Sequence, residues 1–208
     1  MSTFESPPRG VLGLGRPARP DTDELAALLA AAFHDDPLTR WIIPDDRTRA
    51  ELLPGLFRIF VDVSHDYDGV ALSPCGDAVM LFLPPGASKE VDARGDELER
   101  RFADALGEYA GALGTIVGLQ AERHPAGPPH YYASFGAVRP ARQRNGLLSV
   151  LLQELVDRAD REGHPAYTEA SSPGGEALCL RQDFVPLGGD ITLPNGGPSL
   201  RPLWRDPR

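Results

Sequence analysis

Apolar positions along the chain alternate between a period near three and a half residues and a period of two, and the switches outline helices and strands. From Asp21, "DTDELAALLAAAF" places Leu25, Leu28, Leu29 and Ala32 at i, i+3, i+4 and i+7. Asp21 and Glu24 stand at capping-box spacing, so a helix is predicted there. The following "HDDPLTRW" reads as a polar loop. A second helix is predicted over "RTRAELLPGLFRIFVDVSHD", with Leu52, Leu53, Leu56, Phe57 and Phe60 on its apolar side. Pro54 falls inside that pattern and marks either a kink or the true helix start.

"GVALS" and "AVMLFLPPG", joined by "PCGD", predict a hairpin. Helical periodicity returns from about Asp92 to Glu122, with a break near Leu106–Gly107 or Gly111. After the loop "RHPAGPPH" come a strand, "YYASFGAV", a helix over Asn145–Arg161, a short strand over Ala166–Glu169 and a short helix, "EALCLRQD". "FVPLGGDITLP" and "SLRPLWRD" pair across an Asn195-Gly196-Gly197 turn. A further short strand is expected over Val11–Ala18, after a flexible tail at residues 1–9. The order β-α-α-β-β-α-α-β-α-β-α-β-β predicts one mixed α/β domain over residues 10–208. It lacks internal repeats and the regular alternation of a doubly wound parallel sheet.

Charge narrows the choice of partner. Thirty acidic residues against 21 basic ones give a net charge of −9. Such a surface repels nucleic acid and anionic membranes, so neither is expected as a partner. Lys89 is the only lysine. Two cysteines, Cys75 and Cys179, imply no disulfide framework, and the five histidines have no metal-ligand spacing, so no metal is expected. No apolar run approaches the ~20 residues that span a bilayer. "MSTFESPPRG" carries no hydrophobic export segment, which makes the cytoplasm the expected compartment. A monomer or homodimer is expected.

The most informative stretch is "GAVRPARQRNGLLSVLLQELVDRA", Gly136 to Ala159. Val138 ends a strand, Arg139-Pro140 cannot continue it, and a helix has begun by Gly146. A helix start offers unpaired N–H donors and partial positive charge, a setting for phosphate, although most such ends bind water. Glu169 closes the next strand. It is either a general base beside buried surface, a strand-end surface carboxylate or a partner for an arginine. Cys179 lies between Leu178 and Leu180 and is a small core residue, a proton donor or a thiol nucleophile. His34, Asp35, Asp36 and Trp41 form an acidic, aromatic group that attracts a cation or merely ends a helix. Tyr132 and Ser134 are acceptor contacts if their strand face lines a pocket.

"Gln143-Arg144-Asn145-Gly146-Leu147-Leu148" after "AVRP" resembles the Q/R-x-x-G-x-G/A loop of the GCN5-related N-acetyltransferases (GNATs). The resemblance extends to "AYTEASS", "EALCLRQDF" and "PLWRDP" downstream and to "LAALLAAAFHDDPLTRW" and "VMLFLPPG" upstream, and the nearest likeness is to the puromycin-acetyltransferase type. It implies the single mixed-sheet GNAT fold, with strands splayed after the fourth strand at Val138. It also implies acetyl-CoA held by Gln143, Arg144, Asn145, Gly146, Leu147, Leu148 and Ser149, with Gly175 nearby and oxyanion donors on Gly136, Ala137 and Val138. Four positions depart from the family pattern: Arg144 for a common glycine, Leu148 for glycine or alanine, Gly175 for asparagine and Cys179 for tyrosine. Two functions follow. One is an acetyl-CoA-dependent N-acetyltransferase on a small amine, natural-product or antibiotic-like. The other is a fold relative that has lost acetyl transfer and performs another biosynthetic step, such as cyclisation, or only binds a ligand.

Overall fold

The computed structural model describes residues 20–208. The strand expected over Val11–Ala18 and the tail before it lie outside the described residues. Helix α1 (Thr22–Phe33) starts where the sequence signals it: the Asp21 carboxylate accepts from the N–H groups of Asp23 and Glu24. The stretch after it, expected to be a loop, contains a short helix, α2 (Pro37–Ile42). Asp36 caps it and Pro37 opens it with φ already suited to the first turn. Helix α3 (Asp46–Asp66) runs unbroken through Pro54, so that proline marks neither its start nor its end. Asp45 caps it instead, accepting from the Thr48 N–H and hydroxyl.

Strands β1 (Val70–Leu72) and β2 (Ala78–Leu83) form the expected antiparallel hairpin. The next helical segment is divided into α4 (Ala87–Asp92), α5 (Gly95–Leu106) and α6 (Ala110–Arg123), with the second break at Gly107 where the sequence placed it. Then follow β3 (Tyr131–Val138), α7 (Leu147–Glu162), β4 (Ala166–Ala170), α8 (Pro173–Leu180), β5 (Val185–Pro186), β6 (Ile191–Thr192) and β7 (Ser199–Arg205). Among the described residues the strands make one seven-stranded mixed sheet, in the order β1-β2-β3-β4-β7-β5 with β6 also on β7. All its pairs are antiparallel except β3–β4.

The β3–β4 pair positions everything else. It is in parallel register only at Tyr131↔Ala166, Tyr132↔Tyr167 and Ala133↔Thr168. Beyond that, β3 stays paired with β2 while β4 stays paired with β7. The two halves of the sheet therefore part from Ser134 onward, several residues before the expected point at Val138. A β-bulge sits at the same place: Leu81 faces Phe135 and Phe82 faces Ala133, so Ser134 is the extra residue. A bulge increases local twist and turns a strand away from its neighbour. The Ser134 hydroxyl donates to the Leu81 carbonyl and holds the bulge in place.

Of three apolar clusters among the described residues, a small one joins Ile59, Val63, Leu83, Ala87 and Leu98, and two flank the sheet on opposite faces. One lies under α1, α3 and α6 and includes Leu29, Ile43, Leu53, Phe57, Val61 and Leu81. The other packs α7 and α8 against the opposite face through Leu151, Leu155, Val156, Cys179 and Phe184. Helix α7 is tied down at its far end. Asp160 accepts two hydrogen bonds from the Arg205 guanidinium, at 2.7 and 2.8 Å. Arg205 also donates through Nε to the Gln182 carbonyl.

Arg49, only 1% exposed, fixes the corner where α1, α2 and α3 meet. Its guanidinium donates to the carbonyls of His34, Ile43 and Pro44 and to the Asp46 carboxylate. Removing a buried charged donor leaves these acceptors desolvated and unpaired. Arg49→Met is expected to cost about 3 kcal/mol. That corresponds to a fall of roughly 5–15 °C in Tm. A shift below about 2 °C in a thermal melt would show that the corner does not depend on it.

Candidate functional site

The parting of β3 from β4 opens a cleft of about 790 Å³ that runs from the start of α7 to the surfaces of α1–α6. Gly136, Ala137, Val138, Gln143, Leu148, Gly175 and Cys179 line one arm. Asp35, Asp36, Tyr132, Ser134 and Glu169 line the other. The structure thus brings together twelve side chains or backbone positions that the sequence singled out across more than 140 residues.

Two of the candidates lie elsewhere. The Trp41 indole packs under the turn before β7, so close that a Cβ on Gly197 would meet its Nε1 at 2.6 Å. It packs there and is not among the residues that line the cleft. His34 directs Nε2 to the Asp46 carboxylate at 3.0 Å and gives its carbonyl to Arg49. It is part of the α1–α3 corner, away from the cleft lining. Asp35 and Asp36 do face the cleft. Asp36 Oδ2 accepts from the Ser171 hydroxyl at 2.7 Å, which bridges α2 to the loop before α8. Burial raises the Asp36 pKa against that hydrogen bond and those from Leu38 and Thr39.

At the start of α7 the chain makes two left-handed residues, Arg144 at φ 64° and Gly146 at φ 77°. Glycine adopts that conformation without strain and leaves open space where a side chain would stand. The first intrahelical bond runs from the Val150 N–H to the Gly146 carbonyl. The N–H groups of Leu147, Leu148 and Ser149 are therefore donors that the helix itself does not use. Arg144, Asn145, Gly146, Leu147 and Ser149 edge this loop, while Gln143 and Leu148 reach the cleft. Arg139, Arg142 and Arg144 make the loop basic, and the first two share Asp77 at 3.0 and 3.3 Å.

Leu148 explains one departure from the family pattern. Its Cδ1 lies 2.9 Å from where a Cβ on Gly136 would be. The large residue on the helix fits because its partner on β3 has no side chain. The backbone donors of the loop are untouched by the exchange. Gly175, on α8, gives its N–H to the Ser172 hydroxyl at 3.2 Å, an ordinary helix cap.

Glu169, on β4, is the most elaborately held group. Tyr132 and Gln120 donate to Oε2 at 2.7 and 3.0 Å, and Tyr167 donates to Oε1 at 2.7 Å. Three converging donors suit an acceptor-only carboxylate, which has about four lone-pair sites, and leave one site open. Burial pushes the Glu169 pKa up against these bonds, and burial together with the carboxylate pushes Tyr132 and Tyr167 up. Sequence reasoning missed Gln120, because nothing local links a helix glutamine to a carboxylate 49 residues away.

The walls are aromatic. Phe33, Phe57, Phe60, Phe102 and Phe135 line the cleft and touch one another, with ring centroids 4.7–5.7 Å apart for the Phe135–Phe60, Phe135–Phe57 and Phe135–Phe33 pairs. Among the described residues no lysine or arginine lines the cleft, whereas Asp35, Asp36, Asp92 and Glu169 do. Cys179 is buried in the α7–α8 core, and burial pushes its thiol up to about 11. A thiol whose proton is held more tightly than usual is a poorer nucleophile. Among the described residues no helix is long and apolar enough to cross a membrane.

No known family model matches the chain. Solved structures do. A Corynebacterium glutamicum protein described as histone acetyltransferase HPA2 and related acetyltransferase superposes with a TM-score of 0.66 at 27% identity, over 90% of this chain and 92% of its own. The polyamine N-acetyltransferase of Drosophila melanogaster, which forms N-acetylagmatine, gives 0.57 at 18% identity over 89% and 94%. Arylalkylamine N-acetyltransferase 2 of Aedes aegypti gives 0.58 at 13% over 90% and 94%. The chain has the GNAT fold.

The Leu148–Gly136 fit is testable without any ligand. Gly136→Ala forces an overpacked contact and is expected to cost about 1–3 kcal/mol in urea unfolding. In a Leu148→Ala background the same change becomes nearly silent, a coupling of at least about 0.5 kcal/mol. Additive effects would show that the two residues do not share the space.

Proposed function

We propose that the protein is an acetyl-CoA-dependent N-acetyltransferase whose acceptor is a small amine with an apolar, aromatic-sized body. The observation that carries this reading is the single cleft joining the basic, glycine-containing start of α7 to a carboxylate-lined aromatic chamber. The comparison with acetyltransferases supports it. The likeness of the sequence to the puromycin-acetyltransferase type points to a natural-product or antibiotic-like acceptor.

The residues fit the cofactor. Three unused backbone N–H groups, an open glycine and three arginines suit a pyrophosphate, and the loop side chains leave those donors clear. Acetyl-CoA supplies the activated acetyl group. Along β3 from Ser134 to Val138, backbone groups alternate between β2 and the gap left by β4, which gives fixed N–H donors for a carbonyl oxygen that gains negative charge. Glu169 and Asp36 hold the cationic head of the acceptor, and the phenylalanine wall excludes water from its body. Because no lysine or arginine among the described residues lines the cleft, a carboxylate beside the amine finds no cationic partner among them. Amines are expected to be accepted and the corresponding amino acids refused.

Acetyl-CoA at 100 times its Kd is expected to stabilise the protein by about 2.7 kcal/mol in a thermal melt. Gly146→Asp, which adds bulk and charge among the anion donors, is expected to abolish that shift. In an assay of coenzyme A release, 2-phenylethylamine should be acetylated and phenylalanine should not. Absence of any shift with acetyl-CoA or coenzyme A would overturn the reading and leave the fold relative without acetyl transfer.

Cys179 lines the same cleft but packs as a core residue. Cys179→Ala should cost on the order of 1 kcal/mol of stability. Its kcat should stay within about tenfold of the parent, since a general acid would contribute about 10²–10⁴-fold. A loss beyond a hundredfold in a folded Cys179→Ala protein would make the thiol a proton donor.

A further inference from the structure

A histidine pair at the end of the acceptor chamber has a fixed proton arrangement. His130 is buried at the entry to β3, and its Nδ1 lies 2.9 Å from the Pro128 carbonyl. A carbonyl oxygen only accepts, so His130 carries its hydrogen on Nδ1. In the neutral ring, Nε2 of His130 is then an acceptor. Its partner there is His124 Nε2 at 3.1 Å, which must therefore be the donor. His124 is left with a lone pair on Nδ1. Among the described residues that atom has no hydrogen-bond partner, it is not among the buried unpaired ones, and His124 is one of the residues lining the cleft. The packed rings of Tyr132, Tyr167 and Trp204 hold both imidazoles, with centroids 5.1–5.8 Å away for the His124–Tyr167, His130–Tyr167 and His130–Trp204 pairs.

We propose that His124 is the group that takes a proton, on Nδ1, from the ammonium form of the acceptor, and that His130 positions it. This rests on the amine-acetylation reading above. The N–H bond of the ammonium breaks and its electron pair stays on nitrogen as the nucleophilic lone pair. A new N–H bond forms at His124 Nδ1. The Nε2 proton of His124 can then move to His130 Nε2, which spreads the positive charge over two rings with the Pro128 carbonyl accepting from the second. The proton leaves to water when the product departs. The charged groups facing the pair are few. Asp92, from α4, favours the protonated form of His124, and Glu169 lies beyond Tyr132 and Tyr167. Burial lowers both histidine pKa values; the His130 imidazole adds to the lowering at His124, while the Pro128 hydrogen bond opposes it at His130. Glu169, with three donors already on it, serves as the electrostatic anchor.

Long-range ¹H–¹⁵N spectra of the full chain test the arrangement before any turnover. His124 should show hydrogen on Nε2 and His130 on Nδ1. Addition of 2-phenylethylamine should move the His124 Nδ1 resonance. The opposite tautomer at His124, or an unmoved Nδ1 at saturating amine, overturns the proposal. With acetyl-CoA present, His124→Gln should lower kcat/KM by about 10²–10⁴-fold and remove the decline of the parent below its ordinary histidine range, near pH 6.5. His130→Gln should lower kcat by roughly tenfold and shift that limb, with KM for acetyl-CoA unchanged. A His124→Gln enzyme within threefold of the parent, with the acid limb kept, overturns it. Failure of the amine-acetylation reading itself is seen separately, as absent acetyl-CoA binding, and the spectra still decide the role of the pair.

Discussion

Three backbone pairs hold β3 to β4, and then the pairing stops. The constraint behind this is the bulge at Ser134. A strand bonded to β2 on one side cannot also follow β4 once an extra residue has increased its twist. The open edge that results would be costly if buried against apolar groups, because each unpaired N–H or C=O needs a partner. Placed instead along a cleft, the same groups are available to a ligand. The start of α7, the bulge and Glu169 fall around this one gap because the chain returns through it twice.

The charge distribution follows the same division. The basic residues near the gap are on the outer loop, where Arg139 and Arg142 share Asp77. Among the described residues lining the cleft, the titratable groups are four carboxylates, His124, Tyr132 and Cys179. Negative net charge over the whole molecule reinforces the chamber and opposes the loop. An anion is therefore bound at short range, by backbone donors and the arginines, while a cation is favoured at any distance. Acid groups in the chamber retain their effect because phenylalanine walls keep the local dielectric low.

Much of the fold was legible in the sequence because it is written locally. Asp21 and Glu24 announced α1, and Gly107 announced the break before α6. The short helix α2 was missed although Asp36 and Pro37 are its cap and first residue, since six residues are too few to show a period. Pro54 does not mark the start of α3, because tertiary packing of α3 on α1 outweighs the loss of one backbone donor. The cofactor loop and Glu169 were visible as residue types. The partners of Glu169 were not, because Gln120 and Tyr132 reach it from 49 and 37 residues away. The five histidines likewise showed no metal spacing, and the meaning of two of them depends on a proline carbonyl that no side-chain pattern reveals.

The departures from the family loop divide by what they touch. Where recognition uses backbone N–H groups, a side chain matters only if it blocks them or forbids their conformation. Arg144 adopts the left-handed region at some cost, and its side chain lies outside the cleft lining. Leu148 finds its space over Gly136, so a loss of smallness at one position is met by smallness at the other. Glycine at position 175 changes a side chain and keeps the helix cap to Ser172. Cysteine at position 179 is different in kind, because it replaces a hydroxyl with a buried thiol whose proton is held more tightly than usual. Under the proposed function, proton handling is assigned away from α8, to the other part of the cleft. There, a carboxylate with three donors and two imidazoles of fixed tautomer already stand.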